Sequence, residues 1–334
     1  MSVASSIRHV FRHRIRWSIV KKVAGLAFVA LVIFLIYRSL SGIDWSQVMQ
    51  ALKRYDAATL LPVVALACVS FALHASFDVL GRHYTGHHLS APRVMLIAFI
   101  AYVFNLNVGA VVGGLGMRLR LYSRANVSAS QVAGVYTIAI VTNWTGYMML
   151  AGGMLAAMPP PLPAEWGISV WLLRVTGVAM LACGLLYWLA CAKAKTRSVR
   201  IKKHVFRLPG FRFALLQNVL SMANWVVLAT IIKLLLPPEV GLGAALSALL
   251  VGAVAGALAH IPAGIGVLET VFVVLLRPVA PEPVVVAALI AYRAIYYLLP
   301  MVIATSAYTW MELRGNRGAA RARPGTDDHR ASAQ

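Results

Sequence analysis

The chain has 334 residues, 60% of them hydrophobic and only 12% charged, against about 25% charged in soluble domains. That balance excludes an ordinary soluble globular protein. The net charge of +21 does not indicate nucleic acid. The Lys and Arg residues fall in short loops and tails between apolar runs, as the positive-inside rule expects, and no aromatic-interleaved basic domain stands apart from them.

Charge-free runs recur at 57–77, 94–117, 125–164, 175–192 and 240–268, each long enough to cross a hydrocarbon layer that takes roughly 20 helical residues. None alternates with period two, so a transmembrane barrel is a poor reading. The expected fold is all-α: a polytopic transmembrane helical bundle with both termini cytoplasmic. Residues 1–22 form a basic cytoplasmic segment, anchored by Arg8, Arg12, Arg14, Arg16, Lys21 and Lys22. A single membrane domain covers 23–312, and a disordered cytoplasmic tail covers 313–334. The apolar run after the basic segment lacks a small-residue cleavage site and reads as a retained helix, roughly 23–40. The stretch holding Asp44, Lys53 and Asp56 reads as an external loop, and a helix over 57–80 returns to the cytoplasm at Arg82.

The next firm cytoplasmic anchor is the basic loop 193–212, with eight Lys and Arg residues and no acid. Working back from it, 167–190 comes inward, the proline-rich turn 158–163 lies outside, and 130–157 goes outward. Segment 94–117 must then begin and end on the cytoplasmic side. A full crossing cannot do that, so it is predicted to be a re-entrant hairpin, broken near Asn105, Asn107 and the glycines Gly113, Gly114 and Gly116. In the second half, 213–235 leaves the cytoplasm and 284–310 returns to it ahead of Arg314 and Arg317. The stretch 242–283 therefore starts and ends outside. It reads as a second hairpin broken at His260, Pro262, Gly264 and Gly266, although two full spans would satisfy the same parity. The half-repeats, about 57–157 and 213–310, then have inverted orientation, as in many secondary transporters.

Ionisable groups at membrane depth are costly, at least roughly 2.5–3.5 kcal/mol each, and invite functional readings. Glu269 and Arg293 are either a structural ion pair or a headgroup-binding Arg tuned by a competing carboxylate. Arg118 and Arg120 follow the Gly-rich break directly, where guanidinium forks suit phosphate oxygens; the plainer role is a cytoplasmic anchor. Asp78 is expected to pair with Arg82, one turn on. Asn143 and Asn224, each beside a Trp, are expected to join helices by hydrogen bonds. His83, His87 and His88 read as solvated, and Cys68, Cys183 and Cys191 as small buried hydrophobes. No metal site, cofactor motif or catalytic set is visible, so the chain is not expected to be an enzyme.

Several segments carry a family resemblance: 77–82 (FDVLGR), 101–105 (AYVFN), 112–118 (VGGLGMR), 142–146 (TNWTG), 260–269 (HIPAGIGVLE) and 291–297 (AYRAIYY). Across roughly residues 20–312 the chain resembles the transmembrane family of lysylphosphatidylglycerol synthases, the MprF flippase region. Within it the chain is similar to the stand-alone YbhN-like inner-membrane proteins. The resemblance implies a lipid-translocating domain of the bacterial cytoplasmic (inner) membrane. The fused aminoacyltransferase domain is missing after Glu312, so synthase activity is not expected. It also implies membrane phospholipids with anionic headgroups as the partner, handled by Arg118, Arg120, Arg293, Glu269, Asn105, Asn107 and His260. The alternative function is a non-transporting scaffold or partner of a phospholipid-synthesising enzyme. Lipid identity, direction, energy source and oligomeric state stay open.

Overall fold

A computed structural model describes residues 45–162, 167–193, 198–201, 204–259 and 264–321. The expected first helix and the positions His260 and Pro262 lie outside these residues. The structure opens on a short helix, α1 (Trp45–Leu52), where the sequence predicted only a loop. Val48 and Ala51 on one side of α1 are buried, and the helix packs on α10 (Glu282–Arg293). Eight residues are too few for periodicity to show, but one apolar side suffices once a partner helix supplies the groove.

Helix α2 (Ala57–Thr85) follows. Asp56 caps it, its carboxylate accepting from the Thr59 N–H at 2.9 Å. Gly86, at φ +67°, ends it in the left-handed conformation that glycine adopts without strain. Helix α3 (Ala91–Val108) runs back along α2 and stops at Gly109, whose φ is +101°. Beyond this break the chain continues as a π-helical stretch, Ala110–Gly116, and then α4 (Met117–Arg124). Both pack against α3 and complete a helical hairpin. The hairpin is so tight that a Cβ on Gly113 would lie 2.1 Å from the Phe104 carbonyl oxygen.

Helix α5 (Ala129–Ala157) begins at a capping box between Ser128 and Gln131 and packs against α2, α6 and α7. Helix α6 (Val170–Lys193) touches only part of the bundle and leaves Trp171, Val178 and Leu186 more than half exposed. Exposed apolar side chains of this kind are what a lipid-facing helix presents. The basic loop contains an antiparallel hairpin, β1 (Ser198–Ile201) and β2 (His204–Arg207), in register Ser198 to Arg207, which the sequence reading treated as plain loop.

In the second half, α7 (Phe211–Leu235) is followed by α8 (Leu242–Ala259) and α9 (Val267–Leu276), packed against each other as a second hairpin. At about 1.5 Å per residue, α9 reaches only ~15 Å, half the hydrocarbon thickness. Helix α8, with 18 apolar residues, is itself long enough to cross a membrane, whereas α9 is a shorter apolar helix. Helix α10 then passes through a π-helical turn, Ala294–Leu298, into α11 (Leu299–Arg321). The helix thus continues past 313, where the sequence reading began the tail. Among the described residues seven helices are long and apolar enough to cross a membrane.

The order long helix, broken hairpin, long helix occurs twice. Between the halves, α2 and α5 meet α7 along small residues: a Cβ on Gly146 would lie 2.3 Å from Ser221 Cβ. Close backbone approach of this kind replaces the hydrophobic drive that lipid-embedded helices lack.

Candidate functional site

The buried stripe of α2 carries Ser70, His74 and Asp78 one turn apart, all pointing into the bundle. Asp78 therefore does not pair with Arg82. Its partner is Arg118 from α4, 40 residues away, with Nη2 to Oδ1 at 2.8 Å and Nε to Oδ2 at 3.0 Å. Arg82, at the end of the helix, turns outward and donates to the Leu89 carbonyl. Arg118 also donates from Nη1 to the Gly114 carbonyl at 3.1 Å and lies over the Tyr136 ring at 5.3 Å. Tyr122 donates to Asp78 Oδ2 at 3.2 Å. The pair is closed off, with side-chain exposures of 3% and 0%.

A second pair stands at the other hairpin. Arg293 donates from Nε to Glu269 Oε1 at 2.5 Å and from Nη2 to Oε2 at 3.1 Å. It also donates to the Gly264 carbonyl at 3.3 Å and lies 5.3 Å from the centre of the Tyr297 ring. Glu269 additionally accepts from the Gly266 N–H at 2.9 Å, fixing the start of α9. This pair is partly open, with exposures of 17% and 19%. The plain ion-pair reading of Glu269 and Arg293 is thus what the structure contains.

Between the hairpins lies a cavity of about 650 Å³. The first hairpin contributes Asn105 and Gly109–Val112; the second contributes Leu249, Gly252, Gly256, Gly264 and Leu268. Tyr102, Trp225, Tyr292, Tyr296 and Tyr297 complete the lining. Beneath it a polar chain crosses the core. Tyr296 Oη lies 2.8 Å from Ser70 Oγ, which donates to Asn224 Oδ1 at 2.7 Å. Asn224 thereby joins α2 to α7, as the sequence suggested. At position 143 it is the backbone carbonyl that joins helices, accepting from Ser221 Oγ at 3.0 Å.

Of the predicted site residues, the structure brings Asn105 and Gly264 to one cavity, which Arg293 adjoins through the ring of Tyr297. Asn107 does not line the cavity; its amide donates to the Val103 carbonyl at 2.9 Å and to the Tyr297 carbonyl at 3.4 Å. Arg120 is exposed on α4, over the Tyr308 ring at 5.4 Å. Arg118 is sealed behind Asp78. The tyrosine cluster was missed, because Tyr side chains in apolar runs look like any other core residue. Two further expectations need correction. His87 is buried against Tyr122, with ring centroids 5.5 Å apart; burial, with Arg82 and His88 nearby, pushes its imidazole below the usual range. Cys68 and Cys183 are exposed, and only Cys191 is buried. In a lipid-embedded bundle an apolar position is as much at home on the outer surface as in the core. No group of three or more His, Cys, Asp and Glu able to hold a metal occurs among the described residues.

Apolar helices on every side of a twofold-repeated broken hairpin, with an ion pair at each hairpin, define a multi-pass α-helical membrane protein. More particularly, the chain belongs to the family described as the lysylphosphatidylglycerol synthase TM region, which matches residues 22–304. It is 39% identical over 303 residues to the inner membrane protein YbhN of Escherichia coli (strain K12), covering 90% of this chain and 95% of that protein. It is 27% identical over 318 residues to the uncharacterized protein slr0712 of Synechocystis sp., covering 93% and 98%. Similarity to the phosphatidylglycerol lysyltransferase of Staphylococcus aureus (strain MRSA252) is 20% over 300 residues; this covers 86% of the chain but only 34% of that enzyme's length. The chain is a multi-pass protein of the bacterial inner membrane.

Proposed function

We propose that this protein is a phospholipid translocator, passing an anionic headgroup between leaflets through the cavity while the acyl tails stay in lipid. The observation that carries the reading is the cavity itself. Both hairpin breaks line it, and its ~650 Å³ falls in the range of small-molecule sites, about 300–1,000 Å³. The partly open Glu269–Arg293 pair adjoins it through Tyr297 and Gly264. In this reading the two hairpins enter the bilayer from opposite sides. The loops bearing Arg82, Arg93 and the basic hairpin face the cytoplasm. Arg293 holds the headgroup phosphate, tyrosine hydroxyls accompany it across, and no bond is made or broken. The kinship with a phosphatidylglycerol lysyltransferase supports an anionic glycerophospholipid as cargo.

The test is leaflet exchange of fluorescent phosphatidylglycerol in proteoliposomes, read by dithionite quenching. Wild type is expected to exceed empty liposomes, with Arg293→Ala and Glu269→Gln each slowing exchange at least about tenfold, a barrier change of ~1.4 kcal/mol. Wild-type exchange no faster than empty liposomes, across anionic and zwitterionic lipids, would instead favour a membrane scaffold that positions a phospholipid synthase.

A further inference from the structure

The two ion pairs repeat one design. Each guanidinium presents the same Nε–Nη2 edge to a carboxylate, Arg118 to Asp78 and Arg293 to Glu269. Each also donates to the carbonyl of a glycine in the adjoining hairpin, Gly114 or Gly264. Each has a tyrosine ring at 5.3 Å. The glycines differ in setting, Gly114 one turn before Arg118 in the π-helical stretch and Gly264 in the turn ahead of α9, and the carboxylates differ in origin. Asp78 comes from the helix before its hairpin, whereas Glu269 lies within its own hairpin and meets an Arg from the helix after it. An ancestral ion pair merely copied with the repeat would keep its residues in place. Arg118 reaches its glycine from Nη1 and Arg293 from Nη2, but the bidentate carboxylate recurs on the same guanidinium edge from different residues, as expected if the selected feature is a two-oxygen anion on a guanidinium fork at each hairpin. A carboxylate and a phosphate present that fork with equivalent oxygens.

We propose that Asp78 and Glu269 are built-in stand-ins for phosphate, so that the chain holds two phosphate-binding sites, one at each hairpin, and each is closed by its own carboxylate when vacant. This rests on the translocator reading for its purpose but not for its chemistry. The exposures assign the present state: the Arg293 site is accessible and the Arg118 site is shut. A headgroup phosphate arriving at Arg293 displaces Glu269, which keeps a hydrogen bond from the Gly266 N–H and so has somewhere to remain. At Arg118 the displaced Asp78 keeps the Tyr122 hydroxyl. Each Arg keeps an anionic partner at every stage, and the cost of displacement falls on the carboxylate, offset by the hydrogen bond it retains.

The experiment measures binding to purified protein in nanodiscs with graded phosphatidylglycerol in phosphatidylcholine, alongside inorganic phosphate added to pure phosphatidylcholine discs. Bound lipid is counted by native mass spectrometry and occupancy is followed by thermal shift. Glu269→Gln removes the competitor but retains an acceptor oxygen, and is expected to bind phosphatidylglycerol about tenfold more tightly than wild type. Glu269→Gln with Arg293→Gln loses that gain. Asp78→Asn is expected to raise the count of tightly held phosphatidylglycerol by one, a gain that Arg118→Gln in the same chain removes. A gain with inorganic phosphate alone would identify a free-anion site instead of a headgroup site. Should Asp78→Asn fail to fold, the Glu269 pair of variants decides the matter. Folded Glu269→Gln binding neither probe more tightly than wild type would overturn the proposal and leave an ordinary structural pair. The outcome is independent of leaflet exchange: exchange without tighter binding retains the translocator and removes the stand-in, and tighter binding without exchange does the reverse.

Discussion

Arg118 and Arg293 make similar contacts in different surroundings, and that difference should appear in stability. Removing one partner of a buried pair leaves an uncompensated charge, at about 3–5 kcal/mol. A partly open pair beside a cavity keeps more of its solvation and is expected to lose less. Arg118→Ala is therefore expected to lower the unfolding free energy in detergent more than Arg293→Ala. Equal losses would contradict the burial difference of 3% against 17%. The sequence made one of these pairs legible and concealed the other. Glu269 and Arg293 are isolated charges in otherwise apolar helices, so few partners were available to either. Asp78 had Arg82 one turn away, and local spacing favoured that neighbour. What decided the partner was the face of α2 on which Asp78 falls, in line with Ser70 and His74, and only the packed bundle reveals which way that face looks.

At the scale of elements, charge placement and the Gly-rich stretches marked where the helices break, and the structure has a break at Gly109 and another between α8 and α9. The tightness of the first hairpin was not marked. Gly113 approaches the backbone of Phe104, and its absent Cβ would meet carbonyl atoms at 2.1 and 2.3 Å, which have no rotamer with which to yield. Gly113→Val should splay the first hairpin and cost at least the ~1–3 kcal/mol of an overpacked core. Gly153→Ala, where a Cβ meets nothing within 4 Å, should leave the unfolding midpoint almost unchanged. Thermal unfolding of both variants in the same detergent makes the comparison. Short elements escaped the sequence reading for a different reason. Helix α1 and the hairpin β1–β2 have eight and four residues per element, fewer than a periodicity argument needs.

Across the whole molecule, composition marked the membrane-spanning helices, but helices that are apolar all round carry no stripe to say which neighbour each one meets. The central cavity therefore arose from packing, with only its Gly-rich rims visible beforehand. The two ion pairs have an electrical consequence. Each of these guanidinium groups already has its own carboxylate, so neither site lends spare positive charge to a passing anion. A monoanionic headgroup then crosses the bilayer as a net negative charge, and the voltage acts on it by ~2.3 kcal/mol per 100 mV. With the cytoplasm negative, that is a bias of about 50-fold toward the outer leaflet per 100 mV, obtained without any nucleotide. A potassium diffusion potential imposed with valinomycin should therefore shift the steady-state distribution of fluorescent phosphatidylglycerol and reverse when the gradient is reversed, while phosphatidylcholine stays where it was. A distribution indifferent to voltage would mean that a cation travels with the headgroup. The resting membrane would in that case supply no direction, and this protein would level the two leaflets instead of polarising them.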